Sequence, residues 1–319
     1  MRESSYGEAT APFRGLELVR RLNPDTGDAE PYGMTTVNGV VFFGAFDGHR
    51  PGLWRSDGTA EGTFLVKNVI VYPYFSFWNV GGFLFFYAND GAHGFELWRS
   101  DGTSAGTRMI ADLNPGHESS LPDFAPVVAN GSLYFMADDG FNGKSLWRSD
   151  GTRAGTVLIK QAQGVRQLAA VHDIVFFSDS TELWKTNGTT QGTILVAQGL
   201  NFPWELTGVG NHLFFVNDDS LWKSDGTASG TLPVSSAMHQ PRSLANVNGT
   251  LFFIASYALT DSEELWKSDG TAAGTALLKR WDPSNYQVIN TRVRIVRWCR
   301  IFHCQQSRAQ IRIVAERRY

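Results

Sequence analysis

The sequence predicts an all-β fold, a β-propeller of four-stranded blades, on three observations. A twelve-residue stretch recurs six times. Its clearest copy runs Glu96-Leu97-Trp98-Arg99-Ser100-Asp101-Gly102-Thr103-Ser104-Ala105-Gly106-Thr107, and the other copies centre on Trp54, Trp147, Trp184, Trp222 and Trp266. The tryptophans stand 44, 49, 37, 38 and 44 residues apart, the period of an array built from four-stranded units. Finally, Asn-Gly pairs precede nearly continuous apolar runs, as Asn130-Gly131 precedes Leu133-Tyr134-Phe135. Asn-Gly suits a type I′ hairpin turn, which needs positive φ at both central positions. A run apolar throughout is a strand covered on both faces.

The unit around Trp147 shows each element in order. Phe124 to Val128 is the first strand, Asn130-Gly131 the turn, and Ser132 to Ala137 the second strand. Asp138-Asp139-Gly140 leads to a third strand, Ser145 to Ser149, which carries Trp147. The turn Asp150-Gly151-Thr152-Arg153-Ala154-Gly155-Thr156 then enters a fourth strand, Val157 to Lys160. Four short antiparallel strands buried on both faces make a blade packed between two neighbours. Burial of roughly 150–250 Å² per indole, at about 25 cal/mol per Å², gives each motif tryptophan a few kcal/mol of blade-to-blade contact. The cation after it (Arg55, Arg99, Arg148, Lys185, Lys223, Lys267) points to the opposite face of its strand. Six such cations are either a ligand-binding ring or buried stems with heads paired to carboxylates. The second arrangement is the expected one.

The ends of the chain differ from the repeats. Residues 1–15 read as a flexible leader, 16–283 as the propeller and 284–319 as a divergent tail. Glu17 to Pro24 aligns with Arg108 to Pro115, so the chain enters the array at a last strand. Six complete repeats follow, with a composite or incomplete seventh blade, because shared termini remove an exposed edge. From Arg280 onward there are nine arginines, no lysine and no glycine, with Asp282 and Glu316 the acids. The tail is therefore +7, while residues 1–279 are −10. Three readings stay open for it: an out-of-frame or degenerate repeat, a closing blade, or a nucleic-acid-binding tail. A nucleic-acid partner is the least expected of these.

The six copies keep Leu-Trp, a following basic residue and the Gly-Thr pairs, with Asn187 replacing the aspartate in one. In this the chain resembles the bacterial repeat family named for its consensus, ELWxxDGT, over roughly residues 16 to 281. The resemblance implies a propeller-like, secreted or surface-associated protein and carries over no catalytic residue. Met1 to Arg14 is polar, without the apolar core of a secretory signal. As it stands, that start reads as intracellular or as beginning downstream of the true start. The resemblance favours an extracellular or cell-surface location. No stretch approaches the 18 apolar residues of a membrane helix. The two cysteines, Cys299 and Cys304, both lie in the tail, so the repeats hold neither a disulfide framework nor a zinc spacing. Asn130-Gly131-Ser132, Asn187-Gly188-Thr189 and Asn248-Gly249-Thr250 match the glycosylation pattern, but turn geometry already requires Asn-Gly there.

Function is expected on the face where loops vary in length. Units four and five have tight links there, Ser178 to Thr181 and Val216 to Asp219. The other units are about five residues longer and include Asp47-Gly48-His49-Arg50 and Asn89-Asp90-Gly91-Ala92-His93. Blade-to-blade links add Tyr72-Pro73-Tyr74-Phe75 and Phe202-Pro203-Trp204. The candidate ligand-binding residues are Asp47, His49, Tyr72, Tyr74, Asp90, His93, His117 and Trp204, a mix of stacking area and orienting polar groups. The competing view is that Tyr72 to Phe75 merely packs the loop onto its blade. The expectation is a monomeric, non-catalytic module recognising a glycan or protein, needing no cofactor. One alternative is a propeller-fold hydrolase of glycosidase type, although no carboxylate pair stands out at the separation such chemistry needs. Another is a calcium-binding surface protein, with the loop acids supplying oxygen ligands.

Overall fold

A computed structural model describes residues 17–24, 27–74, 77–122, 124–162, 164–235, 238–257 and 260–280. These residues contain strands and turns and no helix. The first sheet holds β1 (Tyr32–Val37), β2 (Val40–Phe46), β3 (Pro51–Ser56) and β4 (Phe64–Lys67). The second holds β5 (Ile70–Val71), β6 (Trp78–Val80), β7 (Phe83–Asn89), β8 (Glu96–Ser100) and β9 (Arg108–Met109). The third is β10 (Val127–Ala129), β11 (Ser132–Ala137), β12 (Ser145–Ser149) and β13 (Val157–Gln161), and the fourth β14 (Gln167–Val171), β15 (Ile174–Ser178), β16 (Glu182–Thr186) and β17 (Ile194–Gln198). The fifth is β18 (Trp204–Val209), β19 (His212–Asn217), β20 (Ser220–Ser224) and β21 (Leu232–Ser235). The sixth is β22 (His239–Val247), β23 (Thr250–Tyr257), β24 (Thr260–Ser268) and β25 (Ala276–Arg280).

Five sheets are four-stranded meanders in sequence order. The second counts five strands because its first is broken into β5 and β6, both paired with β7. This is an all-β fold of the propeller type, as expected. The described residues fall into two compact units, one running to Ala92 with Trp98–Arg108, the other comprising His93–Leu97 and the chain from Met109 onward.

Local chemistry explains the blade. Every residue of β11 is buried, which is why its sequence shows no polar alternation. Asn130 and Gly131 turn with φ of 45° and 63°, the left-handed values a type I′ turn demands. The Asp-Gly-Thr-x-x-Gly-Thr turn is a closed set of hydrogen bonds. Asp101 Oδ1 accepts from Thr103 N (2.8 Å) and Thr103 Oγ1 (2.7 Å), and Thr103 Oγ1 accepts from Gly106 N (2.9 Å). Ser100 Oγ lies 2.6 Å from Thr107 Oγ1 and accepts from Gly102 N. A Cβ at Gly106 would lie 2.1 Å from the Asp101 carboxylate, so only glycine fits. Asn187 builds the same turn, its Oδ1 accepting from Thr189 N and Oγ1 at 3.0 and 2.8 Å. The aspartate's geometry is therefore what the turn uses.

Consecutive blades pack through a device the sequence concealed. In five sheets the pairing of third and fourth strands slips by one residue between the motif Leu and Trp. The residue this bulge frees is Val66, Ile159, Val196, Val234 or Leu278, and the first four are at most 6% exposed. Within the second unit, Ile159 packs with Leu168 and Phe177 of the following blade, and Val196 with Leu206 and Phe215. Val234 packs likewise with Leu251, Phe253 and Trp266. Leu278, on the last described blade, is 45% exposed. Trp184 and Trp222 pack against the core of the blade before theirs, as Trp266 does, and Trp54 and Trp98 are each 5% exposed.

Five of the six motif cations keep their stems against protein, Lys267 being exposed, but the expected carboxylate partners are not what receives their heads. Among the described residues none of the six is in a salt bridge. Arg55 lies over the Phe64 ring at 5.2 Å and Arg99 over Phe83 at 4.6 Å, while Arg148 Nε donates to Ser132 Oγ. The stems of Arg148, Lys185 and Lys223 abut Gly188, Gly226 and Gly270, the turn glycines of the next blade. Aromatic faces and a close backbone replace the anion.

Glu17 to Leu22 is not the strand the alignment suggested. The segment nevertheless packs as a preceding blade's exit would. Leu22 lies against Phe43, Ala45 and Trp54, and Arg20 Nη1 donates to the carbonyls of Ala60 (3.2 Å) and Thr63 (2.5 Å). Asn23 Oδ1 sits 2.6 Å from where a Cβ of Gly48 would be, as Asn114 Oδ1 sits 2.7 Å from that of Gly140. The leader 1–15 and the tail 284–319, including any closing strands, lie outside the described residues.

Candidate functional site

The expected loop residues are distributed over both units. In the first, Asp47 Oδ1 accepts from the backbone N of His49 (2.8 Å) and Arg50 (2.7 Å). These bonds pull its carboxyl below the ordinary value, and His49 is exposed. Asp90 Oδ1 accepts from Ala92 N at 2.9 Å. Tyr72 and Tyr74 meet edge to face, centroids 5.5 Å apart, with Tyr74 83% exposed. They stand in the excursion between β5 and β6, where the first strand of the second sheet is interrupted.

In the second unit, Trp204 opens β18 and is 43% exposed. The backbone brings the segments of His93 and His117 together. A Cβ at Gly94 would lie 1.8 Å from the Glu118 carbonyl, Phe95 N donates to Ser119 Oγ (2.9 Å), and Ser120 N donates to Phe95 O (3.1 Å). The loop acids named as calcium ligands serve as turn caps. Among the described residues no three His, Cys, Asp or Glu side chains gather as a metal site.

Two arrangements escaped sequence reasoning. The first centres on Glu96, the leading residue of the clearest motif copy and 0% exposed. Its carboxyl accepts from Ser120 Oγ (2.6 Å), Leu113 N (3.1 Å) and Asn114 N (3.3 Å). Burial pushes its pKa up to about 7, with Asp112 adding a smaller push, while the three donors pull the other way. Glu96 thus ties the link 113–120 to its blade. In other copies the same position does different work: Glu182 and Glu264 accept from the indole N–H of Trp184 (2.8 Å) and Trp266 (3.0 Å).

The second is a cleft of about 460 Å³ lined by Leu158, Ile159, Lys160, Gln161, Trp184, Thr190 and Thr193. One wall is β13, the terminal strand of its sheet, which among the described residues pairs only with β12. Facing it are the Trp184 ring and the turn that follows β16. Lys160 Nζ stands 3.9 Å above that ring, and Phe177 stacks nearly parallel to it at 6.3 Å. Gln161 Nε2 donates to Asn142 Oδ1. Thr193 Oγ1 is engaged with Thr186 Oγ1 and Thr189 O, and Thr190 is exposed. An ammonium, hydroxyls and an apolar floor therefore meet beside a free strand edge.

No protein-family model matches the chain, and no curated protein matches it. Solved structures do. Oligopeptidase B from Leishmania major matches with a TM-score of 0.51 at 13% identity, over 81% of this chain and 42% of that one. A puromycin-hydrolyzing peptidase from Mycobacterium tuberculosis matches at 0.46 and 12%, over 85% and 47%. A puromycin hydrolase matches at 0.43 and 14%, over 81% and 55%. The chain spans about half the length of these proteins. At such identity the likeness is one of fold, through their propeller domains.

The match with oligopeptidase B, a peptidase, corrects the expectation of a non-catalytic module for glycan or protein recognition. That expectation rested on repeats without catalytic motifs. Repeats that encode only blades are equally compatible with chemistry carried elsewhere in a protein.

Proposed function

We propose that the chain is the propeller part of a peptide-hydrolysing protein. The supporting observation is the match with oligopeptidase B, which takes in 81% of this chain but 42% of that one. On this reading the blades serve peptide handling, and the bond-breaking groups belong to a hydrolase unit beyond the described residues. The ELWxxDGT resemblance supports placing such a protein outside the cell.

Internally quenched oligopeptides test the proposal. They are offered to the purified chain and to the product of the complete natural reading frame. Cleavage by the complete product, with retention of the peptides by the chain alone, is the expected result. Peptides left uncut and unretained in both samples would sink it.

A further inference from the structure

We propose that the cleft between β13 and Trp184 binds the C-terminal end of an extended peptide. Among the described residues no strand pairs with the edge of β13 away from β12, and an unpaired edge offers main-chain donors and acceptors to an added strand. Side chains of that strand meet Leu158 and the Trp184 wall. Charge decides which part of the peptide sits there. Lys160 holds its ammonium over an aromatic face, and among the described residues it is in no salt bridge. The nearby carboxylate of Glu182 is engaged by the Trp184 indole. Residues 1–279 carry a net −10, so an anion is drawn to this place by a local cation and not by the general field.

A terminal carboxylate on the Lys160 ammonium, with its last side chain apolar, satisfies both the charge and the floor. The exposed Thr190 hydroxyl stands at the same cleft as a second donor. At about 460 Å³ the cleft is near the small end of ligand pockets. It has room for a few residues at a chain end. The inference stands apart from the peptidase reading, since it concerns equilibrium binding on an outer edge and no bond is broken.

Isothermal titration of the whole chain tests it with four probes. These are Ac-Thr-Val-Thr-Val-Leu with a free carboxylate, its C-terminal amide, a version N-methylated at alternate residues, and the amide Ac-Thr-Val-Glu-Val-Leu-NH2. The free acid is expected to bind at least tenfold tighter than its amide, and N-methylation to weaken it at least tenfold. Lys160→Met removes the acid's advantage over the amide, while Lys279→Met, on the distant β25, leaves it in place. Equal binding of acid and amide overturns the proposal, as does no binding of the acid to wild type at 1 mM. So does equal binding of the glutamate-bearing amide, which would make an internal acidic segment the ligand. Mass spectra of the same samples report cleavage separately, so the two readings fail independently.

Discussion

Replacing Glu96 with glutamine isolates the energetic effect of a fully buried carboxyl. Its pKa in the fold is about 7 against an ordinary 4.5, raised chiefly by burial. At 1.36 kcal/mol per pH unit the gap amounts to about 3 kcal/mol. The folded chain keeps this proton up to about pH 7, whereas the unfolded chain releases it near 4.5. The native state therefore holds more protons across that window, and stability falls as pH rises from 4.5 to 7, levelling off above.

The turn aspartates act with the opposite sign and elsewhere on the scale. Asp57, Asp101, Asp225 and Asp269 are held below their ordinary value by bonds from the following threonine. What they contribute is lost only at pH values below about 4. Urea unfolding followed by tryptophan emission from pH 5 to 8 reads the window directly. Wild type is expected to lose up to about 3 kcal/mol across it, and Glu96→Gln to lose almost none of that. The variant should be the more stable protein at pH 8. A variant retaining the wild-type slope would refute the assignment.

The remaining predictions use the same denaturation assay. Trp98→Ala should cost about 3–5 kcal/mol, the range for large buried aromatics, and Trp147→Ala less because that ring is half-buried; a loss below 1 kcal/mol at Trp98 would mean its ring is not a packing element. Asp101→Asn should leave stability nearly unchanged, as Asn187 builds the same turn, while Asp101→Ala should cost about 1 kcal/mol; equal effects would show that charge matters more than geometry. Ile159→Ala should cost about 2–5 kcal/mol and Leu278→Ala under about 0.5 kcal/mol, because one bulged side chain is covered and the other exposed. A large loss at Leu278 would reveal a cover for the last described blade.

What the sequence determined by itself is whatever closes within a few residues. The Asp-Gly-Thr turn is legible because each of its hydrogen bonds spans seven positions or fewer. The Asn-Gly hairpin is legible because its φ values belong to two adjacent residues. The apolar run of β11 is legible because a strand covered on both faces needs no partner named to be recognised. The six sheets of the described residues and the order of strands within them followed from these.

Contacts made at a distance were decided by the tertiary structure. Glu96 looks like the glutamates of two other copies, and only donors 17 to 24 residues away make it a buried clamp. The bulge that aims Ile159 inward depends on the register between two strands. Glu17 to Leu22 reads as a strand by alignment, yet the structure assigns it none and seats Leu22 on the Trp54 cluster instead. The Lys160 cleft joins the edge of one blade to the ring of the next, and a repeat read one unit at a time contains only one half of that neighbourhood.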